Sequence, residues 1–166
     1  MLKYMGKEEM DRIIKEFTKL NLHPTYLEHE EVVTSEDAAK TRGFELKQGI
    51  KALVFTNNED KWVVVNIPAN QRVDSKKVAT QMNWSKSKIR MATQEEVMEK
   101  TGCQIGAVPP FSHKTSIPIL VDKEIYENKE STFNIGLRTN SVKIPTEEMS
   151  IVFKDAGAIE GNFVKS

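Results

Sequence analysis

A chain of 166 residues, 39% apolar and 29% charged, has the length of roughly one domain and enough material for a core that needs no staples. Its 24 basic residues balance 24 acidic ones, which excludes a protein that coats duplex DNA through many phosphate contacts, and its single cysteine, Cys103, excludes an internal disulfide framework or a thiolate metal cluster. No run approaches 18 apolar residues, and the opening MLKYMGKEEMDR lacks the apolar stretch of a signal peptide, so a cytoplasmic, single-domain protein without a membrane partner is expected.

In chain order, Met10, Ile13, Ile14, Phe17 and Leu20 recur at helical spacing, with Lys7, Glu8, Asp11, Arg12 and Lys15 mostly on the other side. This predicts an N-terminal amphipathic helix within residues 1–22 that ends before Pro24. Thr25 to His29 reads as a short strand. Thr34-Ser-Glu-Asp37 followed by Ala38-Ala39 reads as a capped helix start, with Gly43 as its stop. Ile50–Thr56 and Lys61–Ile67 flank the polar Asn57–Asp60 and predict a hairpin, central in its sheet because the Val63–Val65 run is apolar on both faces. Asp74 caps a helix reaching about Gln81, Lys88–Met91 is a short strand, and Thr93-Gln-Glu-Glu96 opens a helix that stops near Gly102. Ile117–Val121, Thr132–Leu137 and Ser141–Ile144 read as strands, Pro145 as the first residue of a last short helix, and 155–166 as a flexible, frayed tail. The helices and antiparallel hairpins do not alternate regularly. An α+β fold follows, with a mixed, mostly antiparallel sheet and surrounding helices.

The common catalytic signatures are missing: no phosphate loop, dinucleotide fingerprint, zinc helix or nucleophile elbow occurs. His23, His29 and His113 do not stand at metal-ligand spacing, so neither metal nor cofactor is expected. Cys103 has no base beside it in sequence and reads as a small core hydrophobe. Two features stand out. Lys51 lies one residue into an otherwise apolar strand, either at an edge facing water or aimed into a cleft where its charge would hold a phosphate or a developing oxyanion. Gly106-Ala-Val-Pro-Pro-Phe111 is either a plain turn or a stiff loop whose N–H groups bind a carbonyl. Lys76, Lys77, Lys86, Lys88 and Arg90 gather around Trp84; they read as a solvated helix face or as a contact for nucleic-acid phosphates with an aromatic for stacking.

Taken in order, Thr34 with Ala38-Ala39, Lys51 in Ile50-Lys51-Ala52-Leu53, Thr101-Gly102, Gly106 to Phe111, Ile117-Pro118-Ile119 with Asp122, and Phe133-Asn134-Ile135-Gly136 resemble the YbaK/prolyl-tRNA-synthetase-associated editing domain. The resemblance runs from about Tyr26 to about Ile151, and the order and intervals of the motifs carry it. It implies a deacylase that hydrolyses the ester of mischarged tRNA in trans. The partner is then the 3′-terminal aminoacyl-adenosine of an aminoacyl-tRNA, with a synthetase as an optional second one. By the same resemblance the catalytic set is Lys51 with Gly106, Ala107, Val108, Pro109 and Pro110. Thr34, His29, Phe111, His113, Phe133, Asn134 and Gly136 form the substrate-binding set. His113 is either a general base or a structural residue. Ser112 departs from the glycine that many members carry there, which is expected to alter the turn. Asn134 occupies a position filled by histidine in some members. The alternative in a different class is a non-catalytic module that binds tRNA or a synthetase with the same pocket. All of this requires Lys51 to project from the sheet into a crevice opposite the proline-bearing loop.

Overall fold

Helix α1, Lys7–Lys19, forms because Ile13 and Phe17 supply a fully buried stripe while Glu8 lies in the first turn and Lys19 in the last, each matched to the helix dipole. The computed structural model describes residues 5–31, 40 and 44–166. The helix start expected at Thr34, Ala38, Ala39 and the stop at Gly43 lie outside the described residues. Strand β1, Thr25–Glu28, follows α1, and then come β2, Ile50–Thr56, and β3, Trp62–Pro68. Next are α2, Ser75–Met82, β4, Arg90–Met91, and α3, Gln94–Thr101. Strands β5, Ile119–Asp122, β6, Glu130–Asn134, and β7, Asn140–Pro145, precede α4, Thr146–Asp155, and β8, Ile159–Gly161.

The strands divide between two sheets. A three-stranded antiparallel sheet has the order β1-β7-β6, and a five-stranded mixed sheet the order β4-β2-β3-β5-β8. A single bridge, Gly49 to Thr132, joins them. The β2–β3 hairpin is central, as the apolar Val63–Val65 run requires, and β3 pairs parallel with β5. Alternation along β2 and β3 separates two cores. Phe55, Val63, Val65 and Ile67 pack with Val78 of α2 and with Phe163 on one face. Val54 and Val64 pack on the other with Val97, Cys103, Ala107 and Val108. A third core, around Phe17, Phe111, Phe133 and Phe153, joins α1, α4 and the three-stranded sheet.

One expectation is overturned. Residues 155–166 are not a frayed tail: β8 pairs parallel with β5, Val164 bridges to Val73, and Lys165 N–H bonds to the Arg72 carbonyl. The anchors are Phe163, 2% exposed, and the buried Asp122, whose carboxylate accepts the Phe163 N–H at 2.6 Å. A tail poor in large apolar residues is held by strand pairing, one buried ring and a backbone bond to a buried carboxylate, a pattern that composition does not reveal.

Candidate active site

The loop from Ile105 to Phe111 is held by hydrogen bonds from several parts of the chain. Arg138 donates to the Ile105 carbonyl through Nε at 3.1 Å and through Nη2 at 2.7 Å. The Asn134 amide donates to the Gly106 carbonyl. The Gly136 N–H reaches the Ala107 carbonyl at 3.1 Å, His113 Nε2 the Pro109 carbonyl at 2.7 Å, and Asn66 Nδ2 the Pro110 carbonyl at 3.0 Å. Five carbonyls are thus turned inward and held. Pro109 and Pro110 have no N–H to offer, and the Ala107 N–H is bonded to the Gln104 carbonyl at 2.9 Å. Among the described residues, the N–H groups of Gly106 and Val108 have no partner in the protein. Fixed donors without internal acceptors suit an oxyanion, because their orientation is set before charge develops.

Beneath the loop the aromatic rings are used for support. Phe111 and Phe133, 2% and 1% exposed, meet edge to face at 6.4 Å, and Phe17 of α1 meets Phe111 at 5.6 Å. Both phenylalanines, expected in the substrate-binding set, are buried in the core against Phe17 of α1. Gly136, φ +116°, lies so close to the start of α1 that an added Cβ would stand 2.5 Å from the Gly6 carbonyl oxygen. Glycine is therefore required where α1, β6 and the loop converge. Ser112 holds the turn expected to be altered, with φ +62° in the left-handed region. That region is where glycine is free of cost, which explains why a glycine suits the position.

His113 is buried, and burial pulls its pKa from 6.5 down to about 4. With Nε2 donating to Pro109, the ring is a neutral strut of the loop. His29 is placed elsewhere. Its Nδ1 donates to the Glu30 carbonyl at 2.7 Å, which fixes Nε2 as the acceptor for the Ser141 hydroxyl at 3.0 Å. This joins β1 to β7. Cys103 is fully buried, and desolvation lifts its thiol to about 12, as a core residue requires. Thr34 lies outside the described residues.

Lys51 does not share a face of the sheet with the loop. Alternation puts it with Leu53 and Phe55 on the α2 face, opposite Ile67, whereas Ala52 packs toward Ala107 and Val108. Lys51 is half-buried, with the loop on the other face of its strand and not opposite its side chain as expected. Asn66 and Arg138 escaped the sequence reading. Asn66 carried a signal in hindsight, a polar residue inside the apolar run Val63–Ile67; Arg138 carried none.

A family model described as "Aminoacyl-tRNA editing domain" matches residues 29–150. The chain is 33% identical to the Multifunctional Ser/Thr-tRNA deacylase ProXp-y of Escherichia coli (strain K12) over 124 residues, 72% of this chain and 73% of that protein. It is 26% identical over 118 residues to a protein of Enterococcus faecalis described as a candidate Cys-tRNA(Pro)/Cys-tRNA(Cys) deacylase, EbsC, 71% of each chain. A crystal structure described as a candidate trans-editing enzyme for prolyl tRNA synthetase superposes with a TM-score of 0.81 at 25% identity, covering 95% of this chain and 98% of that one.

Proposed function

The chain belongs to the aminoacyl-tRNA editing domain family and is an aminoacyl-tRNA deacylase; from that premise we propose that it clears mischarged tRNA in trans by presenting the ester to water against the Gly106–Pro110 loop. The single observation that supports this most is the pinning of five loop carbonyls together with Gly106 and Val108 N–H groups that have no acceptor among the described residues.

The chemistry asks little of the protein. Water attacks the ester carbonyl carbon, the carbonyl electrons move onto oxygen, and the Gly106 and Val108 N–H groups stabilise that oxyanion. Collapse expels the ribose oxygen, which takes up a proton, and releases the free amino acid. The vicinal ribose hydroxyl of the substrate orients the water, so the scheme calls for no protein nucleophile. His113 is unsuited to be a general base near neutral pH, because its pKa of about 4 leaves little driving force for accepting a proton there. Lys51 holds the terminal nucleotide through a phosphate or ribose oxygen and so fixes the ester for attack. Asn134, Gly136 and His113 act on the loop and not on the substrate.

The test is a panel of mischarged aminoacyl-tRNAs followed by release of the amino acid, run beside Lys51→Ala. The substitution is expected to lower kcat/KM by about 10²- to 10³-fold, the scale of losing one preorganised electrostatic contact. A wild-type rate for the purified variant would remove Lys51 from the site.

A further inference from the structure

The five basic residues around Trp84 do not act alike. Lys88 is paired with Glu59, and Arg90 makes a two-pronged contact with Glu96 at 2.7 and 3.0 Å. Both charges are neutralised locally. Trp84 packs against the core on the α2 face, so it is no exposed stacking platform. Lys76, Lys77 and Lys86 differ on both counts. Among the described residues none of their ammonium groups forms an ion pair with a carboxylate, and all three line one cavity of about 440 Å³ together with Thr80, Gln81, Asn162 and Phe163. Its walls are lysines, neutral hydrogen-bonding side chains and one ring, with no acidic residue.

Lys76 and Lys77 occupy the first turn of α2, where the helix dipole disfavours cations; the acid at that end is the N-cap Asp74, whose carboxylate accepts the Lys76 N–H at 3.0 Å. The Lys77 ammonium is also held in place, donating to the Val164 carbonyl at 2.7 Å and to Asn162 Oδ1 at 3.5 Å. The ordered end of the chain therefore builds one wall of the cavity and fixes one of its charges. In a chain of zero net charge, three lysines converging on one polar cavity without an acidic wall form a site for an anion.

The cavity lies on the α2 face of the five-stranded sheet, the face to which Lys51 is directed. Resting on the deacylase reading, we propose that this cavity binds backbone phosphates of the tRNA whose aminoacylated end sits at Lys51, so that the polynucleotide runs along the α2 face from Lys51 toward β8.

Binding of bulk deacylated tRNA tests this without any need for catalysis. The full chain and the Lys76→Gln/Lys86→Gln double variant are titrated with it at several salt concentrations. Loss of two phosphate contacts is expected to weaken binding about tenfold and to reduce the slope of log K against log salt by about 1.5. Lys88→Gln removes an equal kind of charge from the neighbouring pair with Glu59 and is expected to leave the slope unchanged. Unaltered thermal melts of the variants exclude misfolding as the cause. If the double variant binds with the wild-type slope while the wild-type protein deacylates mischarged tRNA, the cavity proposal is overturned and the deacylase mechanism stands. If Lys88→Gln flattens the slope as much as the double variant does, binding is a diffuse charge effect and the cavity is again rejected. If the wild-type chain neither binds tRNA nor deacylates it, both readings fail together.

Discussion

At the scale of single residues, His113 shows how burial turns a titratable side chain into a structural one. Its folded pKa is about 4, while in the unfolded chain it titrates near 6.5. Between those values the unfolded state binds a proton that the folded state refuses. Stability therefore falls as pH drops from about 6.5 to 4 and gains nothing further from this group above that window. The separation corresponds to about 3 kcal/mol. His113→Gln keeps an amide donor near the Pro109 carbonyl and removes the titration, so urea unfolding of the variant should depend less on pH across this window than the wild type. Equal slopes in the two proteins would show that His113 is not the group responsible. The same residue marks a limit of sequence reading. A histidine two residues after a proline-bearing loop can be a base or a strut, and only the 2.7 Å bond to Pro109 and its burial separate the two. Lys51 shows a second limit. Its position in a strand was legible from the apolar run, but period-two alternation states which residues share a face and is silent on which face meets the loop. Tertiary packing of Ala52 against Ala107 and Val108 settles that.

At the scale of elements, the proline-bearing loop owes its shape to donors from distant parts of the chain. Arg138 is the most demanding of them. One guanidinium serves two partners, the Ile105 carbonyl and Glu31 at 3.1 Å just beyond β1. A lysine cannot span both, because it lacks the planar fork. Arg138→Lys should therefore let the loop wander, with kcat falling about tenfold at little cost to folding, since a small misplacement of positioned groups is expensive for rate. Amide hydrogen exchange would then show faster exchange confined to residues 105–111. Unchanged kcat together with a large fall in Tm would instead make Arg138 a plain stabilising residue. The loop itself was visible in sequence as glycine and two prolines. Of its clamps, Asn134 and Gly136 stood among the expected site residues by resemblance, whereas Asn66 and Arg138 did not, since they are brought to it by β3 and the β6–β7 turn. The regular elements were far more legible. The capping box of α3, with Thr93 and Glu96 exchanging hydrogen bonds, and the Asp74 cap of α2 stand where the sequence puts them, because caps are local chemistry.

At the scale of the whole molecule, the matched span 29–150 omits both ends of the chain, yet both ends complete the cores. Ile13, Phe17 and Leu22 enter from the N-terminal side, and Val152, Phe153 and Phe163 from the C-terminal side, all buried. Burial of such a side chain contributes about 1.5–3 kcal/mol, and the net stability of a domain is only about 5–15 kcal/mol. Losing six of them exceeds what the rest can spare. The loss also reaches the site: without Phe17 the Phe111 ring has no edge-on partner on the α1 side, and without α1 nothing fills the space against Gly136. A fragment of residues 29–150 is therefore expected to give no cooperative thermal transition and no deacylation, whereas the full chain gives both. Circular dichroism on heating checks the first and amino-acid release the second. A fragment that melts cooperatively within about 10 °C of the full chain would show that the ends are appendages; on the packing seen here they are structural members that hold the loop from behind and below, so that the active site and the stability of the fold draw on the same rings.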